Sequence, residues 1–170
     1  ATLDGGTIHV SGVTSLRVGG RLIVGDASSP GIAQVHLGGP TTVETGSSIL
    51  QNETGVLSFA GTFRIDAGAT VTTTGDFNGQ DTDDSLIVHG TLTSGIGRIS
   101  LAGGDDILTV GDTAILSASF GGGDGVDTLI LNGTGVGTFD MGKLSEFEGL
   151  VKEVSGTWGL VNGATFRRLT

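Results

Sequence analysis

The residues best able to do chemistry in this chain are its aspartates, and three of them are regularly spaced. Asp84, Asp106 and Asp127 open three like segments, Asp84-Ser-Leu86-Ile-Val88, Asp106-Ile-Leu108-Thr-Val110 and Asp127-Thr-Leu129-Ile-Leu131. Stacked carboxylates repel one another unless they are solvated, protonated or bridged by cations. Gly122-Gly-Asp-Gly125-Val-Asp127-Thr-Leu129-Ile also fits the calcium nonapeptide G-G-x-G-x-D-x-U-x. Asp carboxylates with backbone carbonyls suit a hard cation. That repeat, however, builds its site between stacked copies. Residues 131–139 carry no Asp, and Gly103-Gly-Asp-Asp106 is only a partial second copy. The expectation is therefore a Gly/Asp corner without a metal ligand. Asp84, Asp106 and Asp127 would form a solvated ladder whose carboxylates cap neighbouring backbone N–H groups.

Other chemistry finds less support. Asp83/Asp84 and Asp105/Asp106 are carboxylate pairs of the kind glycoside hydrolysis uses. No basic cluster is available for an acidic sugar, and no Gly-His-Gly or Arg-Ile-Lys motif accompanies the pairs. His9, His36 and His89 fall at outward positions of alternating segments, without metal-ligand spacing. A Gly-x-Ser-x-Gly elbow is missing, and the chain has no Cys for a thiol nucleophile, a disulfide or a thiolate-bound metal. The expectation is a protein that is not an enzyme, with no catalytic residue and no cofactor. Net charge is −10, so nucleic acid is not an expected partner, because phosphate binding needs a basic stripe. Residues 76–127 hold nine of the 18 acids and a single base, Arg98.

The elements that must carry these residues are short strands. Of 170 residues, 33 are Gly, 23 Thr and 14 Ser, and two are Pro. Gly and β-branched residues at this density disfavour helix interiors. Thr7–Val10, Leu16–Val18, Arg21–Val24, Gln34–Leu37, Val56–Phe59, Thr62–Ile65 and Leu129–Leu131 alternate apolar and polar residues between Gly, Asp or Asn. One stretch, Lys143 to Leu150, reads as helix-like, with Leu144, Phe147 and Leu150 on one face. No apolar run approaches the ~20 residues of a membrane helix.

The Asp-x-Leu-x-Val/Leu segments recur at intervals of 22 and 21 residues. A second pattern appears as Gly20-Arg-Leu22-Ile-Val24, Gly61-Thr-Phe63-Arg-Ile65 and, degenerately, Gly90-Thr-Leu92-Thr, and its first two copies are about two periods apart. A period of about 21 built from short strands is one turn of a parallel β-helix, whose turns must stack to bury their faces. Leu86, Leu108 and Leu129 would then stack, as would Val88, Val110 and Leu131. Residues 1–134 supply about six turns, a rod roughly 30 Å long at ~4.8 Å per turn. Residues 135–170 break the period and carry both Lys, the one Trp and three of five Glu. They are expected to form a β-rich cap over the open end of the core.

The closing segment Leu144-x-x-Phe147-Glu-Gly-Leu150-x-Lys-x-x-Ser-Gly156-x-Trp158-x-Leu160-x-x-Gly163 resembles the autochaperone segment of autotransporter passengers, the type V secreted proteins of Gram-negative bacteria. The Gly/Thr/Asp-rich repeat and the absence of Cys are similar to such passengers as well. The resemblance implies an all-β fold, a right-handed parallel β-helix stalk at 1–134 and a C-terminal folding nucleus at 135–170. Leu144, Phe147, Leu150, Gly156, Trp158 and Leu160 would form that nucleus. It implies a surface location outside the bacterial outer membrane, reached through the periplasm. The implied partners are the protein's own downstream membrane barrel and the outer-membrane assembly machinery. The chain, beginning with Ala, reads as a mature product or fragment that ends before that barrel. A surface adhesion or self-association module and a calcium-stabilised β-roll are the alternatives. On the stalk reading, Trp158→Ala is expected to impair folding more than Asp127→Ala.

Overall fold

Short alternating segments bounded by Gly cannot bury an apolar face alone, so they bury it against the next copy of themselves. In a computed structural model they do so as a parallel β-solenoid of about six turns at about 22 residues per turn, with essentially no helix. The structure describes residues 2–3, 6–10, 12, 14–16, 19–25, 32–95, 97–163 and 168–169. The side chains of 2–10, 14, 16, 168 and 169 lie outside that set, so the expectation for His9 is not addressed.

Up to Ile115–Leu116, each turn contributes one strand to each of three faces. The first face stacks Thr2–Leu3, Arg21–Val24, Ser48–Gln51, Thr70–Thr73, Thr91–Ser94 and Ile115–Leu116. The second stacks Gly6–Val10, Ala33–Leu37, Gly55–Phe59, Asp76–Asn78, Arg98–Gly103, Ser119–Asp124 and Leu144–Ser145. The third runs from Thr14–Leu16 through Thr41–Val43, Thr62–Ile65, Ser85–Val88, Ile107–Gly111, Thr128–Asn132 and Gly149–Lys152 to Arg168–Leu169. All these pairings are parallel, and the third face stays in register along its length. Phe63, Leu86, Leu108, Leu129 and Leu150 are successive partners, as are Ile65, Val88, Val110 and Leu131. The stacking read from the Asp-x-Leu-x-Val/Leu repeat is therefore the stacking observed.

Inward residues fill a narrow core. Phe59, Phe63 and Phe77 meet there with ring centroids 5.2–5.5 Å apart. Gln51 and Thr73, both fully buried, interrupt the apolar interior beside the first face. Gln51 Nε2 donates to the carbonyls of Gly55 at 2.5 Å and Asp76 at 2.9 Å, which ties the corner between the first and second faces to the core.

Two expectations are corrected. Lys143 to Leu150 is not helical: a single 3₁₀ turn, Met141–Lys143, is followed by the strands Leu144–Ser145 and Gly149–Lys152. Gly149 and the pairing partners offered by Thr128–Asn132 favour extending the ladder over a helix of two turns. The second sequence pattern joins segments of different faces. Arg21–Val24 and Thr91–Ser94 belong to the first face, whereas Thr62–Ile65 belongs to the third. All three faces alternate alike between Gly corners, so alternation alone does not say which face a segment occupies.

The first face is interrupted. Ile115–Leu116 pairs only with the preceding turn, and Val136–Asp140 pairs instead with Thr157–Val161 as a separate two-stranded sheet. Between them lies a cleft of about 340 Å³ lined by residues including Val110, Leu116, Phe139 and Val161. Lys143 Nζ reaches into this gap and donates to the Leu116 carbonyl at 2.8 Å.

Candidate functional site

The regularly spaced aspartates sit at the corner between the second and third faces. There the chain leaves Asp76–Asn78, Arg98–Gly103 and Ser119–Asp124 and enters Ser85–Val88, Ile107–Gly111 and Thr128–Asn132. The residue just before four successive third-face strands is an acid: Asp84, Asp106, Asp127 and then Glu148. Because the strands that follow are in register, these four acids form a column.

Each carboxylate of the column reaches back one turn and accepts from a backbone N–H. Asp84 Oδ1 accepts from Gly61 N at 2.5 Å, and Asp106 Oδ1 from Asp84 N at 2.7 Å. Asp127 Oδ1 accepts from Asp106 N and Glu148 Oε2 from Asp127 N, both at 2.9 Å. A second column runs the other way. Asp83 Oδ1 accepts from Asp105 N of the following turn, and Asp105 Oδ1 from Val126 N, each at 2.9 Å. The two columns satisfy amides that turn away from the strand ladder at the corner. An unmet buried amide costs about 1–3 kcal/mol.

The capping half of the expectation stands, but the solvated half is overturned. Asp84 is 2% exposed, and Asp106 and Asp127 are 0% exposed. The Asp side chain is short and is held back against the backbone of the adjoining turn. Glycines close over it. A Cβ on Gly79 would lie 2.6 Å from Asp84 Oδ2, and one on Gly122 would lie 2.2 Å from Asp127 Oδ2. Burial raises the pKa of all three carboxyls, Asp106 to about 6, and the hydrogen bonds from backbone amides offset only part of this.

The glycines of the nonapeptide motif have a packing role at the same corner. Gly122 makes room for the Asp127 carboxylate. Gly123 has φ 117° and lies where a Cβ would meet the Ala102 carbonyl at 1.7 Å. Asp127 is committed to the Asp106 amide. Among the described residues no group of three or more His, Asp or Glu is placed to hold a metal ion. The carboxylate pairs point apart: Asp83 and Asp105 serve the following turn, Asp84 and Asp106 the preceding one. Arg98, the base of this acidic stretch, forms an exposed ion pair with Glu146.

His36 is outward and half-buried, with Nδ1 2.9 Å from Ser58 Oγ. His89 lies at the opposite corner, and burial holds its imidazole below the usual range, with Arg64 adding to the effect. The two are in different turns and do not converge.

The closing-segment residues fall as follows. Phe147 and Leu150 are buried in the common core, and Leu144 and Trp158 pack against it half-buried. The Trp158 ring covers Gly137, where a Cβ would meet it at 2.6 Å, and its Nε1 has no hydrogen-bond partner among the described residues. Gly156 N donates to the Gly133 carbonyl at 3.1 Å. Leu160 pairs with Phe139 but is 46% exposed. Sequence reasoning missed Glu148 and Gln51. Glu148 was visible as an acid 21 residues after Asp127, whereas nothing in the alternation marked Gln51 as inward.

These features define the class: a parallel β-solenoid whose acidic corner is committed to its own backbone. Comparison with protein-family models, with curated proteins and with solved structures returns no match.

Proposed function

We propose that this chain is a non-enzymatic β-solenoid stalk of a surface-displayed bacterial passenger, and that its closing segment serves as folding nucleus and template for the turns above it. The observation that carries this reading is the continuity of the third-face ladder into the closing segment. Leu129 pairs with Leu150, and Glu148 extends the carboxylate column by one more turn. A preformed turn of this kind offers the next turn both a strand edge and corner acceptors, which lowers the barrier to starting a solenoid. The resemblance of residues 144–163 to autochaperone segments supports the same reading. Its partners would be a downstream membrane barrel and the outer-membrane assembly machinery, and its location the cell surface.

The test fuses the chain to an outer-membrane barrel and compares wild type with a deletion of residues 144–163. Protease-resistant surface material should fall at least several-fold in the deletion, with barrel insertion unchanged. Equal resistant material in both would refute the nucleus assignment.

A self-association reading has one specific support. Ser48, Thr70 and Thr91 are successive outward partners, and Thr72 pairs with Thr93, so hydroxyls form short columns on the first face. Sedimentation of the isolated chain at rising concentration separates the readings, because a plain stalk stays monomeric.

A further inference from the structure

Among the described residues, two atoms of the carboxylate column have no partner. Asp106 Oδ2 and Asp127 Oδ2 are buried and accept no hydrogen bond, although the other oxygen of each carboxylate caps an amide of the preceding turn. An ionised carboxylate with one oxygen buried and unmet is among the least favourable groups a fold can hold. A protonated carboxyl removes the charge while its other oxygen still accepts the amide. We propose that the column at the second-to-third-face corner is a proton-binding clamp: Asp106 and Asp127 take up protons as the turns stack, so that mild acid tightens the solenoid.

The surroundings favour proton uptake from every side. The following turn presents Asp127 to Asp106, and the preceding turn Asp84 and Asp83. On the same turn as Asp106, Asp105 faces Asp127, and the following turn adds Glu146 and Glu148. The basic group in reach is Arg98, and it is engaged by Glu146 on the exposed surface. Gly122 walls the Asp127 carboxylate, while Thr82 and Gly79 flank Asp84 on the preceding turn, and none of these carries charge.

The sign follows from the raised folded-state values. Below the unfolded aspartate pKa, near 3.9, both states are protonated and the column carries no penalty. As pH rises from there to the folded value of about 6 for Asp106, the unfolded chain releases its proton while the folded state still holds one, so stability is lost across that window and levels off above it. A displacement of about two units in one group corresponds to a roughly 100-fold weaker folding equilibrium above pH 7 than below pH 4.

The experiment follows thermal unfolding of the full chain by circular dichroism from pH 4 to 8, for wild type, Asp106→Asn and Glu53→Gln. Asn is a neutral stand-in for the protonated carboxyl and keeps an oxygen to accept the amide. Wild type should unfold at lower temperature as pH rises from 4 to about 6.5 and then level off. Asp106→Asn should flatten that fall and unfold above wild type at pH 8. Glu53→Gln, which removes one exposed charge at the corner between the first and second faces, away from the column, should keep the wild-type slope. A wild-type midpoint that is flat or falls on acidification overturns the proposal, as does an unchanged slope in Asp106→Asn. Should Asp106→Asn fail to fold, infrared spectroscopy of the folded wild type at pH 5.5 decides. A protonated-carboxyl band that vanishes at pH 8 supports the clamp, and its absence at both values refutes it.

Discussion

Gly122→Ala and Gly103→Ala are the same chemical change on the same face of adjacent turns, and the structure gives them opposite signs. Gly103 lies at the end of Arg98–Gly103, with no atom nearer than 3.7 Å to an added Cβ and without positive φ. Ala there should stabilise by about 0.4–1 kcal/mol through the unfolded chain. Gly122 lies inside Ser119–Asp124, where an added Cβ would meet the Glu146 carbonyl at 2.1 Å and Asp127 Oδ2 at 2.2 Å. Both contacts are more than 1 Å inside van der Waals distance, and neither atom belongs to a flexible side-chain end. Overpacking of this kind costs about 1–3 kcal/mol. Moving the Asp127 carboxylate also withdraws the acceptor of the Asp106 amide, which adds about 1–3 kcal/mol. The total is roughly 2–6 kcal/mol. At about 2–4 °C per kcal/mol for a chain of this size, Gly122→Ala should lower the midpoint by roughly 5–20 °C, while Gly103→Ala raises it by a few degrees. Circular dichroism melting of the two variants at one pH is sufficient. Midpoints within 2 °C of each other would refute the account of the corner as a glycine-walled carboxylate site.

Other consequences are more local. Phe63→Ala opens a cavity between Phe59 and Phe77 and should cost about 3–5 kcal/mol, read as a lower denaturant midpoint. Gln51→Ala leaves the carbonyls of Gly55 and Asp76 without their donor and should cost about 1–3 kcal/mol, with faster amide exchange at that corner. Trp158→Phe deletes a buried N–H that has no acceptor and should shift stability by less than about 1.5 kcal/mol. Trp158→Ala should cost less than Phe63→Ala, since its ring is only half-buried; a larger loss would strengthen the closing segment as folding nucleus.

Much of the fold is legible in the order of residues. Strand length, the choice of strand over helix and the period near 21 follow from local rules. Gly, Asp and Asn punctuate the chain, and Asp-x-Leu-x-Val/Leu recurs at the interval of a turn. The stacking of Leu86 on Leu108 and Leu129 follows from that interval alone, because a parallel ladder places equal positions of successive turns side by side. Three matters were settled only by tertiary packing. The faces share one alternation, so the assignment of Arg21–Val24 and Thr62–Ile65 to different faces depends on how the corners turn. The segment from Lys143 to Leu150 carries helical spacing, but a waiting strand edge in the preceding turn pairs it as strand. The burial of Asp84, Asp106 and Asp127 depends on the turns above and below and on glycines 79 and 122, brought against the carboxylates from the second face. A charged residue read singly belongs in water; the stacked amides that need an acceptor exist only once the solenoid has formed.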